Sequence, residues 1–340
     1  MTKPVVISAP EPRTLDLIFR PERLEELRAG YDLHEVAADA LDSLPDEVLR
    51  AARYVIGQPP IGEDLLARMD SLACVFNVEG NLFLNMPYTR LFERGIHVVT
   101  TMEVFARPVA EIGLGLALDL MREITEADVA FSEGRESWGL DGNGRARLLT
   151  GADVGLIGFG GIGRSLLPLL MPFRPRLRIF DPWLPPSVIR EAGGLPVDLE
   201  TLLQESDVVF VLASVTDENE GFLGADAFAR MRPGAAFVLL SRAGVVDFDA
   251  LIDAVARGHI VAASDVFPEE PMPEDHPVRR LRGFLRSAHR AGALDVAFKA
   301  MGDMVLEDMA LLDRGLPPVR CKRAERETVA KMRSKPVEKS

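Results

Sequence analysis

Short runs of apolar residues alternate along this chain with stretches where apolar residues recur every three or four positions. The first kind, at 5–8, 15–19, 54–56, 73–76 and 97–99, predicts strands. The second kind, near 22–28, 63–69 and 86–94, predicts helices. A long helix is expected from Pro108, since a missing N–H costs nothing in a first helical turn, and 109–124 is apolar on most sides. The Gly-, Ser- and Asp-rich stretch 134–144 predicts a loop. Beyond it the alternation resumes, with strands at 154–157, 177–180, 208–212, 236–240 and 261–264. Helices at 161–171, 199–204, 225–231 and 248–257 lie among them, and a last amphipathic helix covers 294–312. Strands separated by helices of this length predict parallel sheets. The polar tail from Lys335 is expected to fray.

A length of 340 residues suggests two domains. The formal net charge of −13 repels phosphate backbones and anionic lipid, which argues against nucleic-acid and membrane roles. An acidic substrate would need a local cationic pocket. The two cysteines, Cys74 and Cys321, form neither a disulfide framework nor a metal-ligand spacing, so no metal site is expected. No signal peptide is read at the N-terminus, and no run of about 18 uncharged apolar residues suggests a membrane span. The expectation is a cytoplasmic protein.

The densest chemical signal is Gly158-Phe159-Gly160-Gly161-Ile162-Gly163, placed between an apolar strand and a helix. Gly158 permits a tight turn, Gly160 lets backbone approach a pyrophosphate, and Gly163 lets helix pack on strand. The helix N-terminus offers unpaired N–H groups and a partial positive charge to the phosphates. Asp181 follows the next strand at the expected distance of about 20 residues. It suits the adenosine ribose hydroxyls and repels a 2′-phosphate, which predicts NAD over NADP, although Arg164 and Arg178 are near in sequence.

Four blocks together resemble the D-isomer-specific 2-hydroxyacid dehydrogenase family: the glycine block with Asp181, Ser241-Arg242-Ala243-Gly244-Val245-Val246-Asp247, Asp265-Val266-Phe267-Pro268-Glu269-Glu270-Pro271, and Ser287-Ala288-His289-Arg290-Ala291-Gly292-Ala293. Val109-Ala110-Glu111 adds a weaker match. The resemblance implies a catalytic arginine at Arg242, a glutamate at Glu270 rather than Glu269, and a histidine at His289. It also implies that Asp265 contacts the nicotinamide carboxamide, with Gly161, Ile162 and Ser214 among the other cofactor contacts. These residue types suit reduction of a 2-oxo acid. A protonated imidazole protonates the carbonyl oxygen as charge grows there. A carboxylate beside it favours the charged ring and fixes its orientation. A guanidinium fork matches the substrate carboxylate, as lysine would not. The family's substrate-carboxylate loop falls on Asn77-Val78-Glu79-Gly80-Asn81, where backbone N–H groups of Val78, Glu79 and Gly80 would hold the anion. Glu79 departs from the commoner glycine-rich form, and its charge would repel the anion unless it points away or binds a substrate hydroxyl or amine. Ala243, Leu240 and Arg290 are further departures, and none removes a catalytic group.

The resemblance implies two Rossmann- or flavodoxin-like doubly wound α/β domains. Residues 1–104 with 294–340 would form a substrate domain, and 105–293 an inserted NAD-binding domain. A homodimer through the cofactor domain is implied as well, with the helix from Pro108 and the 134–144 loop at the contact. The chain ends soon after the last helix, so no regulatory domain of the phosphoglycerate dehydrogenase kind is expected. The functional expectation is an NAD-dependent dehydrogenase of a small 2-hydroxy acid. The alternatives are an NAD(H)-sensing, corepressor-like scaffold, or oxidation of phosphite or formate; Glu270 disfavours formate.

Overall fold

The computed structural model describes residues 3–79 and 82–331. Gly80, Asn81 and the tail from Lys335 therefore lie outside the described residues. The chain divides into two compact units, one made of Met1–Phe105 with Ala293–Ser340 and the other of Ala106–Gly292. In chain order the strands are β1 (Val5–Ala9), β2 (Asp32–Glu35), β3 (Ala52–Gly57), β4 (Cys74–Asn77), β5 (His97–Thr100), β6 (Asp153–Ile157), β7 (Arg176–Phe180), β8 (Leu195–Pro196), β9 (Val208–Val211), β10 (Ala236–Leu239), β11 (Val261–Ser264), β12 (Phe284–Arg286) and β13 (Lys322–Arg323).

The first unit has the sheet order β13-β5-β4-β3-β1-β2. All its pairings are parallel except β13 with β5. Helices cover both faces, so the central strands are apolar throughout and Val6, Ile7, Val55, Ile56, Val75 and Phe76 are fully buried. The helix Asp295–Leu312 brings Met301, Val305 and Met309 into the same core cluster as Val6 and Phe76.

The second unit has the all-parallel order β12-β11-β10-β9-β6-β7-β8. Strand order reverses at β6, so β6 and β9 leave in opposite senses and open a crevice at their carboxyl ends, where such sheets bind ligands. The sequence Val208-Val209-Phe210-Val211 is fully buried, as a strand covered on both faces requires.

Three expectations need correction. Residues 15–19 do not form a strand; Leu15–Ile18 is a helical turn, capped by Thr14, whose hydroxyl accepts from the Leu17 N–H at 3.2 Å. Leu15 and Ile18 share its buried face, the spacing of a helix rather than of a strand. The long helix starts at Ala106, not Pro108, and ends at Arg122, where Glu123 turns left-handed before a further helix, Ile124–Ser132. The loop at 134–144 contains the 3₁₀ turn Gly139–Asn143.

Candidate active site

The turn after β6 has the geometry of a phosphate-approaching loop. Gly158 has φ +93°, and a Cβ there would lie 2.8 Å from the Ala213 backbone nitrogen. At Gly160 a Cβ would meet nothing within 4 Å, so the space beside that backbone is open. A Cβ on Gly163 would lie 3.1 Å from the Gly158 carbonyl and the Phe159 ring, so the helix start packs on the turn. The helix Gly161–Leu170, which includes Ile162, begins without a side-chain cap, and its first N–H groups suit an anion. The Asp181 carboxylate accepts the N–H of Phe159 at 2.8 Å and of Trp183 at 2.9 Å, which ties it to the glycine turn. Arg178 is engaged elsewhere, with Asp153 and Glu205 at 2.6 Å each. Arg164 is exposed and stacks over the Phe159 ring. Ser214 lies exposed past β9, its carbonyl accepting the Asn219 amide at 2.8 Å.

A second cluster gathers beyond β10, β11 and β12. His289 Nδ1 lies 2.6 Å from Glu270 Oε2. The other oxygen of Glu270 accepts the Phe267 N–H at 2.8 Å, so this carboxylate is held from two sides. Burial alone would push the Glu270 carboxyl up, but His289, the Phe267 N–H and the charge of Arg242 hold it below its ordinary value. Glu269, the neighbouring acid, is exposed. Arg242 follows β10 and Ser241, whose carbonyl accepts from its Nη1 at 2.7 Å. The Arg242 side chain keeps accessible surface yet is crowded by protein; desolvation lowers its pKa, and Glu270 opposes that shift. Asp265 is buried, and its two carboxylate oxygens accept the N–H groups of Arg290 and Ala291 at 3.0 and 3.1 Å. His289 itself sits at φ +48°.

In the first unit, Val78 and Glu79 are buried just past β4. The Glu79 N–H donates to Asn77 Oδ1 at 2.7 Å. Its carboxylate is ion-paired with Arg13 Nε at 3.1 Å. Burial raises the Glu79 pKa and Arg13 opposes this. Arg13 was not among the residues singled out by sequence, and contact between two loops far apart in the chain leaves no local pattern that would reveal it.

The family model described as D-isomer specific 2-hydroxyacid dehydrogenase, NAD binding domain, matches residues 114–291, more than half of the chain. The chain belongs to the D-isomer-specific 2-hydroxyacid dehydrogenase family. A solved structure, a phosphoglycerate oxidoreductase from Rhizobium etli, is 61% identical to this dehydrogenase, with a TM-score of 0.89 over 95% of this chain and 99% of that one. The glyoxylate reductase of Korarchaeum cryptofilum is 31% identical over 239 residues, 69% of this chain and 71% of its own length. The D-3-phosphoglycerate dehydrogenase of Archaeoglobus fulgidus is 29% identical over 278 residues, 80% of this chain but 48% of its own length.

The cofactor of this dehydrogenase is NAD, and its residues fit that group. The open space at Gly160 and the uncapped helix start suit a pyrophosphate, and Asp181 stands at the end of β7. Among the described residues, no helix is long and apolar enough to cross a membrane.

Proposed function

We propose that this dehydrogenase interconverts a small 2-hydroxy acid and its 2-oxo acid, with His289 as acid–base group, Glu270 orienting it, and Arg242 binding the substrate carboxylate and carbonyl. The 2.6 Å contact between His289 Nδ1 and Glu270 Oε2 carries this reading. An imidazole that donates Nδ1–H to a carboxylate presents Nε2 on its far side. In reduction, Nε2 of His289 gives its proton to the carbonyl oxygen; in oxidation it takes the hydroxyl proton. Glu270, held ionised below the usual range, favours the protonated ring and fixes its plane. Arg242 brings a planar guanidinium, the group whose geometry matches a carboxylate. NAD supplies the hydride acceptor or donor at the substrate carbon.

The same proposal assigns Gly158, Gly160, Gly161, Ile162 and Gly163 to the pyrophosphate, Asp181 to the adenosine ribose with preference for NAD over NADP, and Ser214 and Asp265 to further cofactor contacts. The loop at Val78, Glu79 and Gly80 binds the substrate carboxylate; the Glu79 N–H takes part only when Asn77 releases it. The names of the relatives support a panel of glyoxylate, hydroxypyruvate and its 3-phosphate. The free buried thiols Cys74 and Cys321 support a reducing, cytoplasmic setting. Phe131, Trp138 and Leu140 are 62%, 74% and 88% exposed, which supports a homodimer formed through this face.

NADH oxidation followed against the 2-oxo acid panel tests the function. His289→Ala is expected to lose about 10²–10⁴-fold in turnover; full turnover by that variant would reject the mechanism. NADH binding with no turnover of any acid would favour a sensor instead. Sedimentation of a monomer at micromolar concentration would refute the dimer.

A further inference from the structure

Glu79 interrupts a loop that the proposed function assigns to anion binding, and the structure shows how its charge is managed. The carboxylate is buried, with its Oε1 3.1 Å from Arg13 Nε. Both atoms are shut from solvent, yet neither has an aligned hydrogen bond. Among the described residues, Glu79 engages the Arg13 guanidinium through Nε, and the side chain is only 14% exposed. A guanidinium carries five N–H donors, and of the three nitrogens of Arg13 it is Nε that is shut from solvent.

The surroundings fix the guanidinium in place without using those donors. Its central carbon lies 4.7 Å from the Phe298 ring centroid and 5.7 Å from that of Phe105. The two rings meet edge to face at 5.9 Å. Stacking engages the face of the guanidinium, whereas its N–H groups lie in its plane. Arg13 follows β1 and Glu79 follows β4, so both stand at the carboxyl ends of the parallel strands, the edge where such sheets receive ligands. Glu79 offsets the charge of Arg13 and anchors it through Nε, and the fork of Nη1 and Nη2 is left for a ligand.

From this geometry we infer that Arg13 is a specificity-determining residue, binding a second anionic group at the end of the substrate distant from the reacting carbon. The substrate class is then a 2-hydroxy acid with a distal phosphate or carboxylate. This inference rests on the 2-hydroxy acid reading above. Glu79 is a positioning residue in it, since it acts through Arg13.

Removing Arg13 alone would strand a buried carboxylate and threaten folding. The informative variants are Glu79→Gln and the double variant Arg13→Gln with Glu79→Gln, which leaves no orphan charge. Steady-state kinetics with NADH would compare hydroxypyruvate with its 3-phosphate, and pyruvate with oxaloacetate. The native enzyme is expected to prefer the member with two anionic groups in one pair, and that pair identifies the anion as phosphate or carboxylate. Glu79→Gln keeps the preference. Compared with Glu79→Gln, the double variant loses about a further 10–100-fold in the ratio of kcat/KM between the acid with two anionic groups and the acid with one, the worth of a charged hydrogen bond or two. An equal fall on both members, or no preference in the native enzyme, overturns the role of Arg13 and leaves the dehydrogenase reading intact. Inactivity of the native enzyme on every 2-oxo acid overturns both.

Discussion

The backbone N–H of His289 donates to the carbonyl oxygen of Asp265 at 2.7 Å. The Asp265 carboxylate then takes the next two N–H groups, those of Arg290 and Ala291. Three consecutive amides are thus gathered by one buried acid, and this holds His289 in the left-handed region that few side chains adopt.

Asp265→Asn should loosen that hold. An amide has one oxygen where the carboxylate has two, so at least one of the two amides loses its acceptor. A cost of about 1–3 kcal/mol in stability is expected, with turnover falling on the order of tenfold as the imidazole loses its fixed position. Thermal unfolding and steady-state rates measured on one preparation would check both; unchanged turnover would separate Asp265 from the histidine.

Glu270→Gln keeps an acceptor opposite His289 Nδ1 but removes the charge. Its carboxyl lies below its ordinary value, so the native enzyme keeps this group ionised below the usual carboxylate range. The sign follows from that direction: an ionised Glu270 stabilises the protonated ring, and the benefit is lost only as pH falls through the lowered value. The variant should therefore reduce 2-oxo acids more slowly, and the fall in rate that the native enzyme shows in acid, as Glu270 takes up its proton, should be absent from it. A pH–rate profile identical to that of the native enzyme would sink the assignment.

Asp181 is bound by two backbone amides, and the proposed function gives it the discrimination against a 2′-phosphate. Asp181→Ser should weaken NAD use and raise the kcat/KM ratio of NADPH to NADH by about 10–100-fold, the scale of one or two charged contacts. Kinetics with both cofactors at fixed 2-oxo acid would show it. A preference for NADPH already present in the native enzyme would contradict the role given to Asp181.

Asp153, at the start of β6, is 5% exposed and sits among Arg176, Arg178 and Arg232. Hydrogen bonds from Arg176 first, then Arg178 and Arg232, hold its pKa well below the usual range against the effect of burial. A depressed pKa contributes stability that is present above the unfolded value, near about 4, and is lost as pH falls through the folded one. Asp153→Asn should cost about 1–3 kcal/mol at neutral pH, the worth of charged hydrogen bonds, since Arg178 and Arg232 keep Glu205 and Asp207 as partners. The gap between native and variant should close in acid, and denaturant unfolding at neutral and acidic pH would measure it.

How much of this was legible in the sequence depends on burial. β6 and β9 are buried on both faces, so 154–157 and 208–211 stand out as runs free of polar side chains, and the glycine turn inherits its placement from them. Leu15-Asp16-Leu17-Ile18 fits both an alternating and a helical spacing, and only the Thr14 cap decides between them. β2 is the polar edge strand Asp32–Glu35, and β8 and β13 have two residues each, too few for a period to show. The helix Ile124–Ser132 buries none of its residues, so no core face marks it. The residues proposed for the chemistry lie in motif blocks, but the partner of Glu79 does not. Arg13 lies in an unremarkable loop and meets Glu79 only because β1 and β4 belong to one sheet.

The discontinuity of the first unit has a consequence for synthesis on the ribosome. The second unit is contiguous and has all its strands once Gly292 has emerged. The first unit begins with β1 yet waits for Met301, Met309 and Cys321 to fill the core around Val6 and Phe76, and for β13 to pair with β5. Strands β1, β3 and β4 are thus made well before the helix that seals them. During elongation, the apolar faces of β1, β3 and β4 wait for that helix while the second unit has all it needs to fold, and exposed faces of this kind are the ones prone to aggregate.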